Sequence, residues 1–328
     1  MISVAIMGVG RMGSIHARNI ATNPRLRLKY VVDQNGDAAR QLAHELAAVP
    51  ATMAQVLGDS DIKGVFVTSS TSTHLDLTLA CLRAGKAVFC EKPLDLDLAK
   101  IQVSATELSA ATSSLFVAFN RRFDPHFQKL KARIAAGDIG TLESLHIVNH
   151  DPAPAAHAFI PTSGGLFKDF TIHDFDMARW LLDEKITQVF AWASCLIDPV
   201  VAELGDFDTA KLVLRCESGK LCMISNNRRS GYGYDQRIEA FGSKGAARVD
   251  NVFKSAVSVW GKDGMLADQF PFAFMHRYAD AYRAEVDHFA DVLTGVTLPA
   301  TGYQASVDSL ILAEAAATSA KTGAPVNL

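Results

Sequence analysis

The sequence predicts an N-terminal α/β domain, built on a doubly wound parallel sheet, and a C-terminal α+β domain with a large open, mostly antiparallel sheet. Three observations support this prediction. Strand-like and helix-like segments alternate over residues 1–120, a glycine-rich turn follows the first strand, and strands with short connections dominate from about residue 141. A chain of 328 residues is also too long for one ordinary core. We therefore expect two domains, at 1–120 and 121–328.

The composition describes a globular protein and argues against several classes of partner. Apolar residues make up 49% of the chain, and 32 basic residues oppose 35 acidic ones. This balance, without a basic run, gives no electrostatic reason to expect nucleic acid. No segment reaches the roughly 20 apolar residues of a membrane span. The five cysteines are scattered without CxxC spacing, which favours reduced thiols in a cytoplasmic protein over disulfides or a zinc site, and we expect no metal.

The first strand leads into a glycine-rich turn with the spacing of a phosphate-binding loop. The strand ISVAIM at 2–7 is followed by GVGRMG at 8–13 and then by a helical pattern through about residue 21. In such a loop the first glycine permits the tight turn, the second lets backbone N–H groups approach a pyrophosphate, and the third lets helix and strand pack closely. The alternative is an ordinary glycine turn. We assign cofactor binding to Gly8, Gly10, Arg11, Met12 and Gly13.

A carboxylate ends the second strand, LRLKYVVD, at Asp33. It lies 20 residues beyond Gly13, where an acid can accept hydrogen bonds from the ribose of a dinucleotide. The same charge would repel a 2′-phosphate, so the sequence favours NAD over NADP. An ordinary acid at a strand end is the alternative interpretation.

The alternation continues to about residue 120, and the carboxyl ends of the strands mark the ligand-binding edge. Further strands are predicted at 62–70, 86–93 and 115–120, and further helices at 38–48, 73–84 and 95–111. The strand ends place Ser69, Glu91 and Lys92 at this edge. A lysine there can donate a hydrogen bond to a substrate hydroxyl and stabilise charge that develops on its oxygen. Taken alone, Lys92 is better explained as a solvated loop residue.

The second domain is predicted to pack three helices on an open sheet. Its strands are expected at 186–197, 207–216, 219–229, 236–242 and 245–260, and its helices at 165–183, 275–295 and 302–321. Successive strands with short turns pair antiparallel. Since an open sheet of this size must cover its second face, we expect a homo-oligomer, a dimer or a tetramer.

The helix at 165–183 carries an unusual polar face. Asp169, His173 and Asp176 are spaced i, i+4, i+7, while a separate set of apolar residues needs a core: Phe167, Phe170, Met177 and Leu181. The polar face is either solvated or lines a cleft. Asp174, Asp176 and Arg179 are explained by salt bridges along the helix surface.

Several motifs in order resemble the Gfo/Idh/MocA family of nicotinamide-dependent oxidoreductases. They are GVGRMG (8–13), the strand-end Asp33, TSSTSTH (68–74), EKP (91–93) and GGLFKDFTIHDFDMARWL (164–181), which is similar to the family pattern GGxxxDxxxHxxD. The resemblance runs nearly end to end. Two further segments, FNRRFDP (119–125) and GYGYDQ (231–236), are typical of the inositol 2-dehydrogenase branch.

This resemblance implies NAD-dependent oxidation of a secondary ring hydroxyl of a cyclic polyol to a ketone. It implies that Lys92, Asp169 and His173 meet around one alcohol in the cleft between the domains. His173 would be the general base, Lys92 would stabilise the forming alkoxide, and Asp169 would orient the substrate, the histidine or both. His74 matches the histidine that the family places near the nicotinamide, although packing at a helix start is an alternative.

Four residues are candidates to bind the other hydroxyls of the substrate. Arg122 lies in FNRRFDP, and Tyr232 and Tyr234 stand two apart on a predicted strand, so they should face one way. Packing at a sheet edge is the alternative for the tyrosines. Asp151 stands where the inositol branch often has asparagine, which leaves the stereochemistry of the substrate open.

Other functions use some of the same residues. A pyranose sugar dehydrogenase of the same family needs only a different pocket, and a member that never releases its cofactor would exchange hydride between two sugars. A non-catalytic dinucleotide sensor is a third alternative, but such proteins often lose the lysine or the histidine that this chain keeps. A metal-dependent hydrolase would pair Asp169 and His173 with His150 or Asp151, and would leave the glycine loop and Lys92 unused.

Overall fold

A computed structural model describes all of residues 1–328 and divides the chain into two compact units. The first unit joins residues 1–123 to 280–310, and the second joins 124–279 to 311–328. The sequence analysis placed 280–310 with the second domain. Apolar packing explains the difference, because Phe289 is fully buried against the rings of Phe66 and Phe89 in the first unit.

The first unit is built on a parallel six-stranded sheet with the order β3-β2-β1-β4-β5-β6. The chain starts in the middle of the sheet, extends it to one side and then to the other. The strands are β1 (Ile2–Met7), β2 (Leu26–Val32), β3 (Val49–Pro50), β4 (Gly64–Val67), β5 (Ala87–Glu91) and β6 (Leu115–Ala118). The change of direction between β1 and β4 is the place where doubly wound sheets bind ligands, at the carboxyl ends of the strands.

Helices follow the strands of this sheet as the alternation predicts. They are α1 (Arg11–Thr22), α2 (Gly36–Glu45), α3 (Met53–Gly58), α4 (His74–Arg83), α5 (Leu98–Val103) and α6 (Ala105–Ala110), with 3₁₀ turns at Thr71–Thr73 and Asn120–Phe123. The predicted helix at 95–111 is two short helices, and the two-residue β3 and the helix α3 were not predicted. Elements this short carry too little periodicity to be recognised.

The second unit contains a seven-stranded sheet with the order β12-β11-β7-β10-β9-β8-β15. The strands are β7 (Leu142–His150), β8 (Ile186–Ser194), β9 (Thr209–Cys216), β10 (Leu221–Asn227), β11 (Asp235–Gly242), β12 (Gly245–Val249) and β15 (Val326–Asn327), and β13 (Ser258–Gly261) and β14 (Gly264–Ala267) form a separate hairpin. All pairs in the seven-stranded sheet are antiparallel except β7 with β10.

The sequence analysis missed β7, an inner strand of this sheet, and merged β12 with the first strand of the separate hairpin. β7 has the sequence LESLHIVNH, in which apolar and polar residues do not alternate strictly, so the two-residue period of a strand is weak. The predicted strand at 245–260 ends at Val249, and Ser258 begins the separate hairpin. β7 matters for function because its end carries Asn149, His150 and, one residue on, Asp151.

The remaining helices are α7 (Pro125–Ala135), α8 (Ile160–Ser163), α9 (Ile172–Leu182), α10 (Pro199–Glu203), α11 (Phe274–Arg277), α12 (Ala279–Leu293) and α13 (Tyr303–Thr322). A π-helical segment, Leu166–Thr171, precedes α9. The apolar side of this stretch is buried as predicted, and Phe167, Phe170, Met177 and Leu181 are all in the core. No helix has the length and apolar character that crossing a membrane requires.

Candidate active site

The glycine-rich loop between β1 and α1 has the geometry that its spacing predicts. Gly8 has φ +98°, and a Cβ there would lie within 3.0 Å of Ser69 backbone atoms. A Cβ on Gly13 would overlap the carbonyl oxygen of Gly8. By contrast, a Cβ on Gly10 would have no protein atom within 4 Å, and Gly10 is the N-cap of α1 without a side-chain cap. Helix and strand therefore require glycine at 8 and 13, whereas Gly10 opens the helix N-terminus to an anionic ligand.

The different surroundings of Gly10 and Gly13 predict that alanine at the two positions will affect different properties. Gly13→Ala should destabilise folding by about 1–3 kcal/mol, because the new methyl group has no space beside Gly8. Gly10→Ala should leave the melting temperature nearly unchanged and weaken binding of the dinucleotide. Thermal unfolding and NADH titration of both variants measure the two effects. Equal destabilisation by both would contradict this division of roles.

Asp33 lies one residue beyond β2 and braces the glycine loop. Its Oδ2 accepts a hydrogen bond from the Val9 N–H at 2.7 Å, and its Oδ1 accepts one from the Asn35 N–H at 2.8 Å. The carboxylate is therefore fixed next to the loop. In the same loop, Arg11 is exposed and Met12 is half-buried. The predicted contact of Asp33 with a ribose stays a prediction.

The residues that follow β4 are tied to the turn that follows β5. Ser69 Oγ lies 2.7 Å from Thr73 Oγ1, and the Ser69 carbonyl lies 3.1 Å from His74 Nε2. His74 Nδ1 lies 2.8 Å from the Pro93 carbonyl. His74 is buried, so its described contacts connect two loops of the first unit. Whether Ser69 and His74 also contact a cofactor stays a prediction.

The turn Glu91-Lys92-Pro93 is held from several sides. Glu91 Oε1 lies 2.7 Å from Nε2 of His16 on α1, and the Leu94 N–H donates to Ser306 Oγ at 3.3 Å. Lys92 itself is half-buried at the carboxyl edge of the sheet. This placement agrees with the predicted position at a strand end, and its catalytic role stays a prediction.

In the second unit, Asp169 and His173 lie at a change of helix type. Gly164 and Gly165 both have φ near +80°, which glycine adopts readily, and they turn the chain into the segment Leu166–Thr171. Asp169 lies in this π-helical segment and His173 in the first turn of α9, and both are half-buried. π-Helical turns within helices are frequent at functional sites.

The third member of the predicted polar face does not share it. Asp176 is buried, with 1% of its surface exposed, while Asp169 and His173 are half-buried. The prediction of one continuous face through Asp176 was wrong. His173 and Asp176 both lie in the regular helix α9, but packing covers Asp176 completely and leaves His173 partly exposed.

Asp174 also differs from the prediction of a surface salt bridge. It is fully buried, and its Oδ2 accepts hydrogen bonds from Asn149 Nδ2 at 2.9 Å and from Asn226 Nδ2 at 2.8 Å. Asn226 Oδ1 in turn accepts from the Thr171 hydroxyl at 2.7 Å. A buried polar network of this kind is stable only when its members are hydrogen-bonded. It attaches the start of α9 to β7 and β10, and so fixes the place of His173.

The sequence analysis missed Arg228, which connects two of the predicted site residues. Its Nη1 donates to Asp151 Oδ2 and its Nη2 to Asp169 Oδ2, both at 3.2 Å. The guanidinium lies 4.7 Å from the centre of the Phe170 ring, and the residue is 7% exposed. An arginine pair at the end of the predicted strand 219–229 was the only available signal. Arg228 brings Asp151 into the same cluster as Asp169, which spacing alone does not predict.

The two tyrosines do not face the same way. Tyr232 is 58% exposed and its hydroxyl donates to Asp235 Oδ2 at 2.7 Å, whereas Tyr234 is buried with its ring 5.9 Å from that of Tyr278. β11 starts only after both, and Gly233 between them has φ +130°, which breaks the alternation of a strand. Partial burial, with the hydrogen bond to Asp235, raises the pKa of Tyr232 to about 12. The prediction of a shared face was therefore wrong.

Arg122 and the residues of the metal alternative complete the predicted set. Arg122 is half-buried in the 3₁₀ turn Asn120–Phe123 after β6. No group of three or more His, Cys, Asp or Glu side chains could hold a metal ion. His150 instead lies 2.9 Å from Ser225 Oγ, so the ligand set that a metal-dependent hydrolase needs has no support.

Comparisons with known proteins agree with this architecture. A family model described as oxidoreductase family, NAD-binding Rossmann fold, matches residues 2–119, and the GFO/IDH/MocA C-terminal domain matches 127–248. The myo-inositol 2-dehydrogenase of Thermotoga maritima is 40% identical over 99% of this chain and 98% of its own length.

Solved structures show the same fold over the whole chain. A myo-inositol dehydrogenase from Corynebacterium glutamicum superposes with a TM-score of 0.96 at 38% identity, covering 100% of this chain and 99% of its own. A scyllo-inositol dehydrogenase from Lactobacillus casei with bound NAD(H) and scyllo-inositol gives 0.93 at 27% identity, with the same coverage. The chain therefore belongs to the Gfo/Idh/MocA family of oxidoreductases, and its N-terminal half is the NAD-binding Rossmann domain of that family.

Proposed function

We propose that this protein is an NAD-dependent dehydrogenase that oxidises one secondary ring hydroxyl of an inositol to a ketone. The observation that carries the proposal is the cluster of Asp169, Arg228 and Asp151, with His173 four residues after Asp169, in a chain whose relatives include proteins named inositol dehydrogenases. Charged and hydrogen-bonding groups fixed at one place suit a substrate that presents hydroxyls around a ring.

The chain's own residues suggest how the reaction proceeds. His173 would accept the hydroxyl proton as general base, a role that imidazole side chains commonly have. The Lys92 ammonium would donate a hydrogen bond to the same oxygen and stabilise its developing negative charge. Asp169, held by Arg228, would orient the substrate or the histidine. NAD, when bound, supplies the acceptor for the hydride that leaves the carbon bearing this hydroxyl.

The cofactor-binding residues fit this dinucleotide. The N–H groups at the start of α1 and the open space at Gly10 suit a pyrophosphate. Asp33 is fixed beside the loop by the Val9 N–H, with lone pairs left to accept ribose hydroxyls. Because its carboxylate would repel a 2′-phosphate, we propose NAD rather than NADP as the cofactor.

Asp151 is a candidate to bind a ring hydroxyl of the substrate. Its position at the end of β7, beside Arg228, places an acceptor where a ring hydroxyl can donate. Inositols offer a hydroxyl on every ring carbon, whereas an aldopyranose has one ring oxygen that accepts only. An acceptor-only carboxylate therefore favours a hydroxyl at this point. The aldopyranose dehydrogenase is the second candidate.

A substrate panel tests the proposal. Purified protein is mixed with NAD or NADP and with individual inositols and aldopyranoses, and NADH or NADPH absorbance is followed. We expect turnover of at least one inositol, with NAD preferred. Turnover of aldopyranoses alone would change the proposed substrate class to aldopyranoses, while the proposed oxidation of a hydroxyl by NAD would stand. NADH binding without turnover of any polyol would contradict the proposed activity and favour a dinucleotide sensor.

We also propose that the outer face of the seven-stranded sheet pairs with a second copy of the chain. Val213 and Met223 are directly opposite each other on β9 and β10, and both are exposed. Leu221, Phe241 and Trp192 add exposed apolar side chains on neighbouring strands. Contiguous exposed apolar surface of this kind marks an interaction site. Light scattering on the eluting protein should give the mass of a dimer or tetramer, and a monomer would contradict this.

A further inference from the structure

A buried glutamate without a hydrogen-bond partner lies in the first unit. Glu285, on α12, is fully buried, and neither of its side-chain oxygens has a partner. An ionised carboxylate in such a place loses its hydration without replacement, at a large cost in free energy. A protein that keeps a carboxyl here must neutralise it, and a bound proton is the simplest way to do so.

Two other titratable groups lie beside Glu285. Glu91, whose charge acts on Glu285, ends β5, and its Oε1 lies 2.7 Å from His16 Nε2. His16 is fully buried on α1, and its Nδ1 also has no partner. Tyr282, one turn before Glu285, has its ring 5.8 Å from the His16 ring. Glu91 therefore connects the two buried groups, because its charge acts on Glu285 and its carboxylate contacts His16.

The surroundings of this pocket are aromatic. The His16 ring lies 4.8 Å from that of Phe89, and Phe289, one turn after Glu285, contacts Phe89 at 5.8 Å and Phe66 at 5.1 Å. Such a wall cannot solvate charge. Burial therefore raises the pKa of Glu285 well above its usual range, and the negative charge of Glu91 acts in the same direction.

We propose that Glu285 is held as a neutral carboxylic acid beside the His16–Glu91 pair, and that this cluster positions the turn that carries Lys92. The second part rests on the proposed function, because it gives Lys92 its role. With Glu285 neutral, the Glu91 carboxylate has His16 as its partner and no like charge to repel it. With Glu285 ionised, its negative charge would repel that of Glu91 in surroundings without water, and this repulsion would act against the fixed position of Glu91.

The connectivity explains why Glu91 matters for Lys92. Glu91 is the residue before Lys92, and His16 attaches it to the helix that begins at the glycine-rich loop. His74 holds the Pro93 carbonyl on the other side, and Ser306 holds the Leu94 N–H. The backbone around Lys92 is thus tied at three of its neighbours. We infer that the His16–Glu91 contact transmits the position of the cofactor loop to the lysine.

The protonation state of Glu285 is tested by stability against pH, without any substrate. In the unfolded chain a glutamate has a pKa of about 4.3. In the folded protein the pKa of Glu285 is raised by burial, so it keeps its proton to higher pH. The unfolded state then binds fewer protons, so wild-type stability falls as pH rises through this window. Glu285→Gln is neutral at every pH. Its unfolding equilibrium constant should fall relative to that of the wild type by up to about tenfold per pH unit.

Infrared spectroscopy gives a second readout on the folded protein. A protonated carboxylic acid has its own carbonyl stretching band, and Glu285→Gln should remove one such band at neutral pH. The exposed Glu217→Gln is the matched control and should leave the band and the pH dependence unchanged. A pH-independent stability difference together with an unchanged infrared spectrum would overturn the neutral state of Glu285.

The positioning role is tested at Lys92 itself. Lysine amines are labelled by reductive ¹³C-methylation, and the Lys92 resonance is identified by its absence in Lys92→Arg. His16→Leu removes the contact to Glu91 and should shift this resonance, whereas His16→Gln can still donate to Glu91 and should restore it. If His16→Leu does not fold, Glu91→Ala removes the same contact from the other side. An unchanged Lys92 resonance would overturn the positioning role.

Kinetics separates this proposal from the proposed function. In an active enzyme, His16→Leu should lower kcat by about 10- to 100-fold through misplacement of Lys92, with NADH affinity nearly unchanged, and His16→Gln should recover most of kcat. Glu285→Gln should keep kcat within about threefold. If the wild type oxidises no polyol, the proposed function fails, while the infrared, pH and NMR results still decide the cluster.

Discussion

Replacing Lys92 with alanine is expected to lower kcat by about 10²- to 10⁴-fold, the range of a lost acid–base or oxyanion-stabilising group. The ammonium would be the only fully charged donor that the proposed mechanism places at the reacting oxygen. Its charge matters most when the hydroxyl has lost its proton, so its removal should act on kcat more than on KM. Steady-state kinetics with NAD and the best substrate of the panel measures both constants.

A control variant tests whether the loss of one positive charge anywhere on the protein is enough to lower kcat. Lys100 is an exposed lysine of α5, and Lys100→Ala should change neither constant. NADH should still bind to Lys92→Ala, because the glycine loop and Asp33 are intact. A Lys92→Ala variant with wild-type kcat would remove the lysine from the mechanism. Loss of NADH binding together with kcat would instead assign Lys92 to the cofactor.

Sequence patterns predicted the cofactor half of the molecule well because its chemistry is local. The strand, the glycines at 8, 10 and 13, the helix and Asp33 are close in the chain, and Gly8 and Gly13 are each required by a close backbone contact that leaves no space for a side chain. The alternation that follows dictates a parallel sheet, and with it the positions of Ser69 and Lys92 at strand ends. Long, regular patterns leave few alternatives.

The substrate half was harder to predict because its contacts are distant in the chain. Arg228 lies 59 positions from Asp169 and 77 from Asp151, so no local pattern connects them. Asp174 has the spacing of a surface salt bridge, and only the tertiary structure supplies the amides that surround it. Tyr232 and Tyr234 were assigned to a strand that Gly233 interrupts. Such details depend on packing and single backbone angles, which periodicity does not encode.

Replacing Arg228 is the second substitution for which we expect a large effect, because its guanidinium binds both Asp151 and Asp169. Both ion pairs have lengths of 3.2 Å, and the Asp151 and Asp169 side chains remain 20% and 23% exposed. Breaking a fully buried ion pair costs about 3–5 kcal/mol. Since both carboxylates keep contact with solvent, the loss of stability in Arg228→Met should be smaller than this. The larger consequence should be catalytic.

Without the guanidinium, Asp151 and Asp169 are neighbouring like charges, so one of them should hold its proton to higher pH. We expect Arg228→Met to lower kcat/KM by about 10²-fold or more at neutral pH, with part of the activity recovered as pH rises and both acids ionise. Arg228→Lys should have lower activity than the wild type, because the three N–H donors of lysine share one nitrogen, whereas the planar guanidinium presents Nη1 to Asp151 and Nη2 to Asp169. The exposed Arg229→Met is the matched control.

A second substitution decides whether repulsion is the cause. Asp151→Asn removes one of the two charges and leaves an amide that can still bind a hydroxyl. In the Arg228→Met background it should shift the pH profile back toward acid and recover a substantial part of kcat/KM, although it adds no contact to Asp169. If Asp151→Asn leaves the profile of Arg228→Met unchanged, the arginine acts by holding Asp169 in place and not by balancing charge. Either result defines what the reaction requires of Asp169, because the two causes differ in pH dependence and in rescue.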